Sequence, residues 1–213
     1  MKQILFLLAA LWLGSTACRK EEHPTPQPPP MPSLIKSDTG SFMPFGLNST
    51  WTYGKEYYDT SSGTPSSSSG VVIHTHQGAV VMDNKEYFDM NGAYVRLQNG
   101  VYYKYLNDRN GETPIMIENP TVGAVWKDTT LTDAQGLFPL LHTYTVVAVG
   151  QTLTVPAGTF NQVVELEVEI KGYQDATHEK HYYQAGVGLL QQKISYVHFP
   201  KGSLMQLENY SIN

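Results

Sequence analysis

The residues whose types and spacing come nearest to chemistry are His74-Thr75-His76. Histidines two positions apart on a strand project from one face ~6.6–7 Å apart, as two ligands of one metal ion do. The local sequence offers no third ligand, and His142, His178, His181 or His198 could supply one only through folding. His74 and His76 are therefore either candidate metal ligands or solvent-facing polar residues. Glu165, Glu167 and Glu169 also alternate. On a strand they stand in a solvated row without a convergent partner, which points to an outer face and not to a metal site. Gly186-Val187-Gly188-Leu189 has the look of a phosphate loop, but no Lys-Ser/Thr follows it, so it reads as a turn where backbones approach closely. There is no Gly-x-Ser-x-Gly elbow, and the single thiol, Cys18, lies near the N-terminus. Paired carboxylates for glycoside hydrolysis meet only in space, and nothing singles out a pair. No catalytic residue and no cofactor is assigned, and the chain is expected not to be an enzyme.

The tyrosines are the other feature. Tyr57-Tyr58, Tyr102-Tyr103 with Tyr105, and Tyr182-Tyr183 place rings on both faces of strands, so one ring of each adjacent pair faces the core and the other faces out. Outward rings can stack on sugars or line an apolar cleft; equally, they can serve strand propensity and cross-strand packing. Tyr103 is the candidate ligand-contacting residue, while Trp51 and Trp126 are expected in the core.

Strands must position these groups. Val164-Glu165-Leu166-Glu167-Val168-Glu169-Ile170-Lys171 alternates strictly, which puts Val164, Leu166, Val168 and Ile170 on a core face and the charges on a wet one. Asn91-Gly92, Asn99-Gly100 and Lys201-Gly202 punctuate runs rich in Val, Tyr and Leu, as hairpin turns do. Strands are predicted at Thr50–Tyr58, Val71–His76, Ala79–Met82, Tyr87–Met90, Ala93–Leu97, Val101–Tyr105, Thr143–Val149, Glu179–Tyr183, Gln192–Phe199 and Leu204–Ile212. Pro156-Ala157-Gly158 predicts a reversal that drops Phe160 into the core. Thr60–Ser69 is expected to be a mobile polar loop, and a turn or two of helix is expected around Thr132–Leu141. A charged fraction of 15% against the usual ~25%, with 14 Tyr, 18 Gly and 13 Pro, suits short strands and excludes a coiled coil. Lys+Arg 14 against Asp+Glu 19 leaves no basic surplus for phosphates, so no nucleic-acid partner is expected.

Upstream, Lys2 precedes the apolar run Ile4–Leu13, which ends in Gly14-Ser15-Thr16-Ala17. This is a secretory signal, too short for a ~20-residue membrane span. Ala17-Cys18 after small residues resembles the lipobox of bacterial lipoproteins, which implies lipid on Cys18 and cleavage before it. An ordinary signal peptide with an incidental cysteine is the alternative. Six of the 13 prolines then fall within His23–Pro32, a stretch suited to an extended spacer rising ~3.1 Å per residue. The expected organisation is signal peptide 1–17, lipid-anchored Pro-rich linker 18–41, and one domain 42–213.

Within that domain Phe42-Met43-Pro44-Phe45 leading to Thr50-Trp51-Thr52-Tyr53, then Asn119–Trp126, Val155–Phe160 and Tyr182–Leu189 form four ordered landmarks. Together they resemble a group of uncharacterised Bacteroidota-type envelope lipoproteins. Two details depart from that group: Gln184-Ala185 stands before the Gly-Val-Gly and Leu190-Gln191 after it. The resemblance implies an all-β single domain with a curved antiparallel sheet, clam-like or an open barrel, with little helix. It also implies attachment to the outer membrane, at the cell surface if Lys20-Glu21-Glu22 acts as the export signal it resembles. The group lends no activity. Two function classes follow: a non-enzymatic binding or scaffolding module for a glycan, lipid or envelope protein, attached to the membrane through its N-terminal lipid, or a metal-dependent hydrolase using His74 and His76.

Overall fold

The computed structural model describes residues 41–106, 111–130, 139–172 and 176–213. They carry β1 (Thr50–Asp59), β2 (Pro65–Thr75), β3 (Gly78–Met82), β4 (Lys85–Asp89), β5 (Tyr94–Gln98), β6 (Val101–Leu106), β7 (Gly111–Ile117), β8 (Val125–Thr130), β9 (Leu140–Val155), β10 (Gly158–Lys171), β11 (Ala176–Gln184), β12 (Gly188–Tyr196) and β13 (Lys201–Ser211). Among the described residues there is no helix. The turn of helix expected at Thr132–Leu141 falls mainly on 131–138, outside the described residues, while Leu140 and Leu141 open β9.

The expected all-β antiparallel fold forms, with its strands divided between two sheets that do not close into a barrel. The eight-stranded sheet runs β2-β1-β13-β12-β11-β10-β9-β8, and the five-stranded sheet is the meander β3-β4-β5-β6-β7. Asn91-Gly92 (φ 61° and 86°) and Asn99-Gly100 (φ 51° and 76°) make the expected turns on either side of β5. Asp83-Asn84 (φ 50° and 58°) makes an equivalent turn between β3 and β4 without a glycine.

The core follows from the facing of the strands. Val164, Leu166 and Val168 are buried and Ile170 half-buried, as the alternation requires. With Phe42, Phe45, Val146 and Tyr183, Val164 and Leu166 meet Val95, Tyr102 and Met116 of the small sheet. A second cluster gathers Trp51, Phe160, Val163, Leu190 and Leu207. It sits by the tip of the β9–β10 hairpin, where Ala157 N–H donates to Leu207 O at 3.0 Å. The register of that hairpin slips between Phe160 and Val163, with Gln162 at φ 59°. Such a bulge bends a strand, so a hairpin of 16- and 14-residue strands need not run straight.

Three expectations are corrected. Glu165 is not in a wet row: it is buried and takes hydrogen bonds from Lys180 Nζ at 3.0 Å, Gln151 Nε2 at 3.2 Å and Tyr182 Oη at 3.3 Å. The polar stretch Thr60–Ser69 is a loop only at its start. From Pro65 it pairs with β1 as the first half of β2, because backbone hydrogen bonds need no apolar side chain. Lys201-Gly202 is not a turn but the start of β13. Gly202 is there for space: a Cβ would stand 2.6 Å from Ile194 O and closer still to the Tyr58 ring.

Candidate ligand-binding cleft between the sheets

A cleft of about 190 Å³ lies between the two sheets. One wall is the inward face of the large sheet: Trp51 and Tyr53 of β1, His74 of β2, His181 and Tyr183 of β11, Leu189 and Gln192 of β12, and Met205 of β13. Opposite stand Val95 of β5, Lys104 of β6 and Ile115 of β7, with Met90 and Ala93 beside them. Met43 and Pro44 close one side. The strand period of two brings these groups together, since His181 and Tyr183 lie on one face of β11 and pair with Leu166 and Val164, the inward residues of β10. A wider groove of about 630 Å³, lined by Ser41, Pro44, Leu97, Glu118 and Gln162 among others, is a separate feature of the surface.

Much of the polar equipment of the cleft is already engaged. Trp51 Nε1 donates to Val187 O at 2.7 Å and Tyr53 Oη to Leu189 O at 3.0 Å. Burial raises the Tyr53 hydroxyl far above its ordinary pKa, with Tyr183 acting the same way, so it stays protonated. The Tyr183 hydroxyl is raised likewise by burial, reinforced by Tyr144 and Glu179. His74 Nδ1 meets Met90 O at 3.2 Å, and its ring packs edge-on to Tyr53. Burial lowers the His74 pKa; the Met90 carbonyl opposes this and the nearby Lys104 charge adds to it. The neutral ring with Nδ1–H donating fits that environment.

Glu179 joins the wall residues His181 and Gln192 in a small polar network. Glu179 Oε2 accepts from His181 Nε2 at 2.7 Å and Gln192 Nε2 at 3.1 Å, and Oε1 accepts from Thr177 Oγ1 at 3.3 Å. Burial pushes the Glu179 carboxyl up, but these hydrogen bonds outweigh it, and the net shift is downward, to the carboxylate. His181 Nδ1 is buried and without a hydrogen-bond partner. A Ser–His or Cys–His arrangement would place a hydroxyl or thiol on that nitrogen, and among the described residues none is there.

His74 and His76 both turn inward, and neither is a solvent-facing polar residue. His76 is fully buried, with its Nε2 at 3.1 Å from Gly78 O and its ring edge-on to Phe88 and Phe45. His74 lines the cleft and His76 does not. Among the described residues no third His, Cys, Asp or Glu joins them in a group able to hold a metal ion. Tyr103 does not line the cleft: it is half-buried, and its ring lies under the Arg96 guanidinium at 4.5 Å. Its neighbour Tyr102 is the core ring of the pair, as Tyr183 is of the other. Trp51 is core, and Trp126 is partly buried, stacked on Tyr144 at 5.3 Å. Sequence reasoning missed Lys104, Glu179 and Gln192. Thr177, Glu179, His181 and Tyr183 share one parity of a strand, and polar residues at core-facing positions were the available signal.

No family model matches the chain, and no curated protein matches it. Among solved structures, the chain is similar to a candidate lipoprotein from Parabacteroides distasonis, with a TM-score of 0.43 and 13% identity, over 82% of this chain and 100% of that one. It is also similar to a candidate exported protein with a YmcC-like fold from Bacteroides fragilis, with a TM-score of 0.42 and 13% identity, over 80% and 98%.

Proposed function

We propose that the chain is an envelope lipoprotein carrying lipid on Cys18, and that its β domain is a non-enzymatic binding module whose ligand sits in the inter-sheet cleft. The lining of the cleft carries this reading. Trp51, Val95, Ile115, Leu189 and Met205 offer an apolar bed. The polar atoms of Trp51 and Tyr53 are turned to backbone carbonyls, so both residues enter the lining as apolar surface. Small-molecule sites have this character: largely apolar, preformed, with few polar groups to fix orientation. At about 190 Å³ the cleft is smaller than the ~300–1,000 Å³ of sites for drug-sized ligands. It suits one ring, a short acyl chain or a side chain, while a larger glycan or lipid would enter only by its end. Among the described residues no nucleophile stands on the free nitrogen of the Glu179–His181 pair, which supports the wall.

The test is titration of the full chain with the fluorescent apolar probe N-phenyl-1-naphthylamine. Saturable binding near one probe per chain is expected, reduced at least about fivefold by Met205→Trp, which fills the cleft. Absence of saturable binding, or binding indifferent to that substitution in a folded variant, would overturn the reading.

A further inference from the structure

The charge distribution around the cleft narrows the ligand class. Among its described lining residues there is no Asp or Glu, and Lys104 is the one Lys or Arg. Lys104 is exposed, on the strand that pairs with Val95 on one side and Thr113 on the other. It makes no hydrogen bond or ion pair with any described residue, whereas Lys85, Lys171 and Lys180 each hold a glutamate at 2.8–3.3 Å. Glu179, on the same face of β11 as the lining residues His181 and Tyr183, is already shared among His181, Gln192 and Thr177. An apolar bed with one uncommitted cation therefore faces the ligand.

We infer that the cleft takes a free monocarboxylate with an apolar body of medium length, its hydrocarbon between Trp51, Leu189 and Met205 and its carboxylate on Lys104. This rests on the binding-module reading above. The volume limits the length: at about 190 Å³ the cleft is smaller than the ~300–1,000 Å³ of sites for drug-sized ligands, so a medium-length body is better matched to it than a long acyl chain, and a very short acid covers less of the apolar bed. A cationic amphiphile meets Lys104 as a like charge, and a neutral one can accept a hydrogen bond from it but gains no charge attraction.

Isothermal titration of the full chain with octanoate, octanol, octylamine and butyrate separates the two levels of the claim. Octanoate is expected to bind about five- to tenfold tighter than octanol and more strongly still than octylamine, with the preference shrinking in high salt. Lys104→Met keeps the stem of an exposed side chain and should abolish the preference for octanoate over octanol. If all eight-carbon probes bind alike, or if Lys104→Met leaves the preference intact, the carboxylate assignment fails and the apolar cleft stands. If butyrate equals octanoate, the length assignment fails. If none of the probes binds, the cleft itself is not the ligand site.

Discussion

Glu112 is where single side chains matter most outside the core. Arg96 Nε donates to its Oε2 at 2.7 Å and Arg96 Nη2 to Oε1, Lys85 Nζ reaches Oε1 at 2.8 Å, and Tyr87 Oη donates to Oε2 at 2.6 Å. The Arg96 hydrogen bonds lead in holding the carboxyl down at about 2, with burial opposing and Lys85 and Tyr87 helping. A carboxyl held below its unfolded value of 4.5 contributes stability that is complete above that pH and is lost as pH falls toward 2. Urea midpoints followed from pH 7 to 2 should fall through that window, and Glu112→Gln should flatten the fall. At pH 7 the substitution should cost about 1–3 kcal/mol, the range for a hydrogen-bonded charge losing its partner. Parallel pH curves for the two proteins would contradict this. Tyr103 belongs to the same neighbourhood, since the guanidinium that binds Glu112 also covers its ring. Tyr103→Ala should therefore leave naphthylamine binding within about twofold of the parent, although the sequence alone singled out this ring.

At the level of elements, β10 and β13 show how far a strand pattern carries. Val168 is 2% exposed, and Val168→Asp buries a charge without a partner, which should cost several kcal/mol. Glu167, its neighbour on the other face, is 53% exposed and holds Lys180 at 3.3 Å, so Glu167→Ala should change stability by less than ~1 kcal/mol. Equal effects in chemical denaturation would mean that β10 faces the other way. Gly202→Ala is the corresponding test for β13: with Ile194 O at 2.6 Å from a new Cβ, a loss of about 1–3 kcal/mol is expected in the same assay. A turn glycine with positive φ would be strained by Ala through its backbone, whereas here it is the Tyr58 ring and the β12 carbonyl that object. The sequence showed a Lys-Gly pair between two strand-like runs; it could not show that a tyrosine about 140 residues earlier lies over it.

For the whole molecule, the proposed anchor and the cleft are separable. Cys18→Ser should abolish labelling by radioactive palmitate and release the chain from membranes while octanoate binding survives. A variant that still fractionates with membranes would remove Cys18 as the anchor. The amino-acid sequence by itself determined the all-β antiparallel character, most strand positions, the Asn-Gly turns and the core face of β10, because alternation and turn chemistry act between residues close along the chain. Only the tertiary structure decided which sheet each strand joined, that Glu165 is buried under Lys180 and Tyr182, that Tyr103 lies under Arg96, and that His76 belongs to an aromatic cage. It also decided that Lys104 faces Trp51 and Met205 across a cleft. Each of these is a meeting of residues from different strands, and strand periodicity tells on which face a side chain lies but not what is packed against that face.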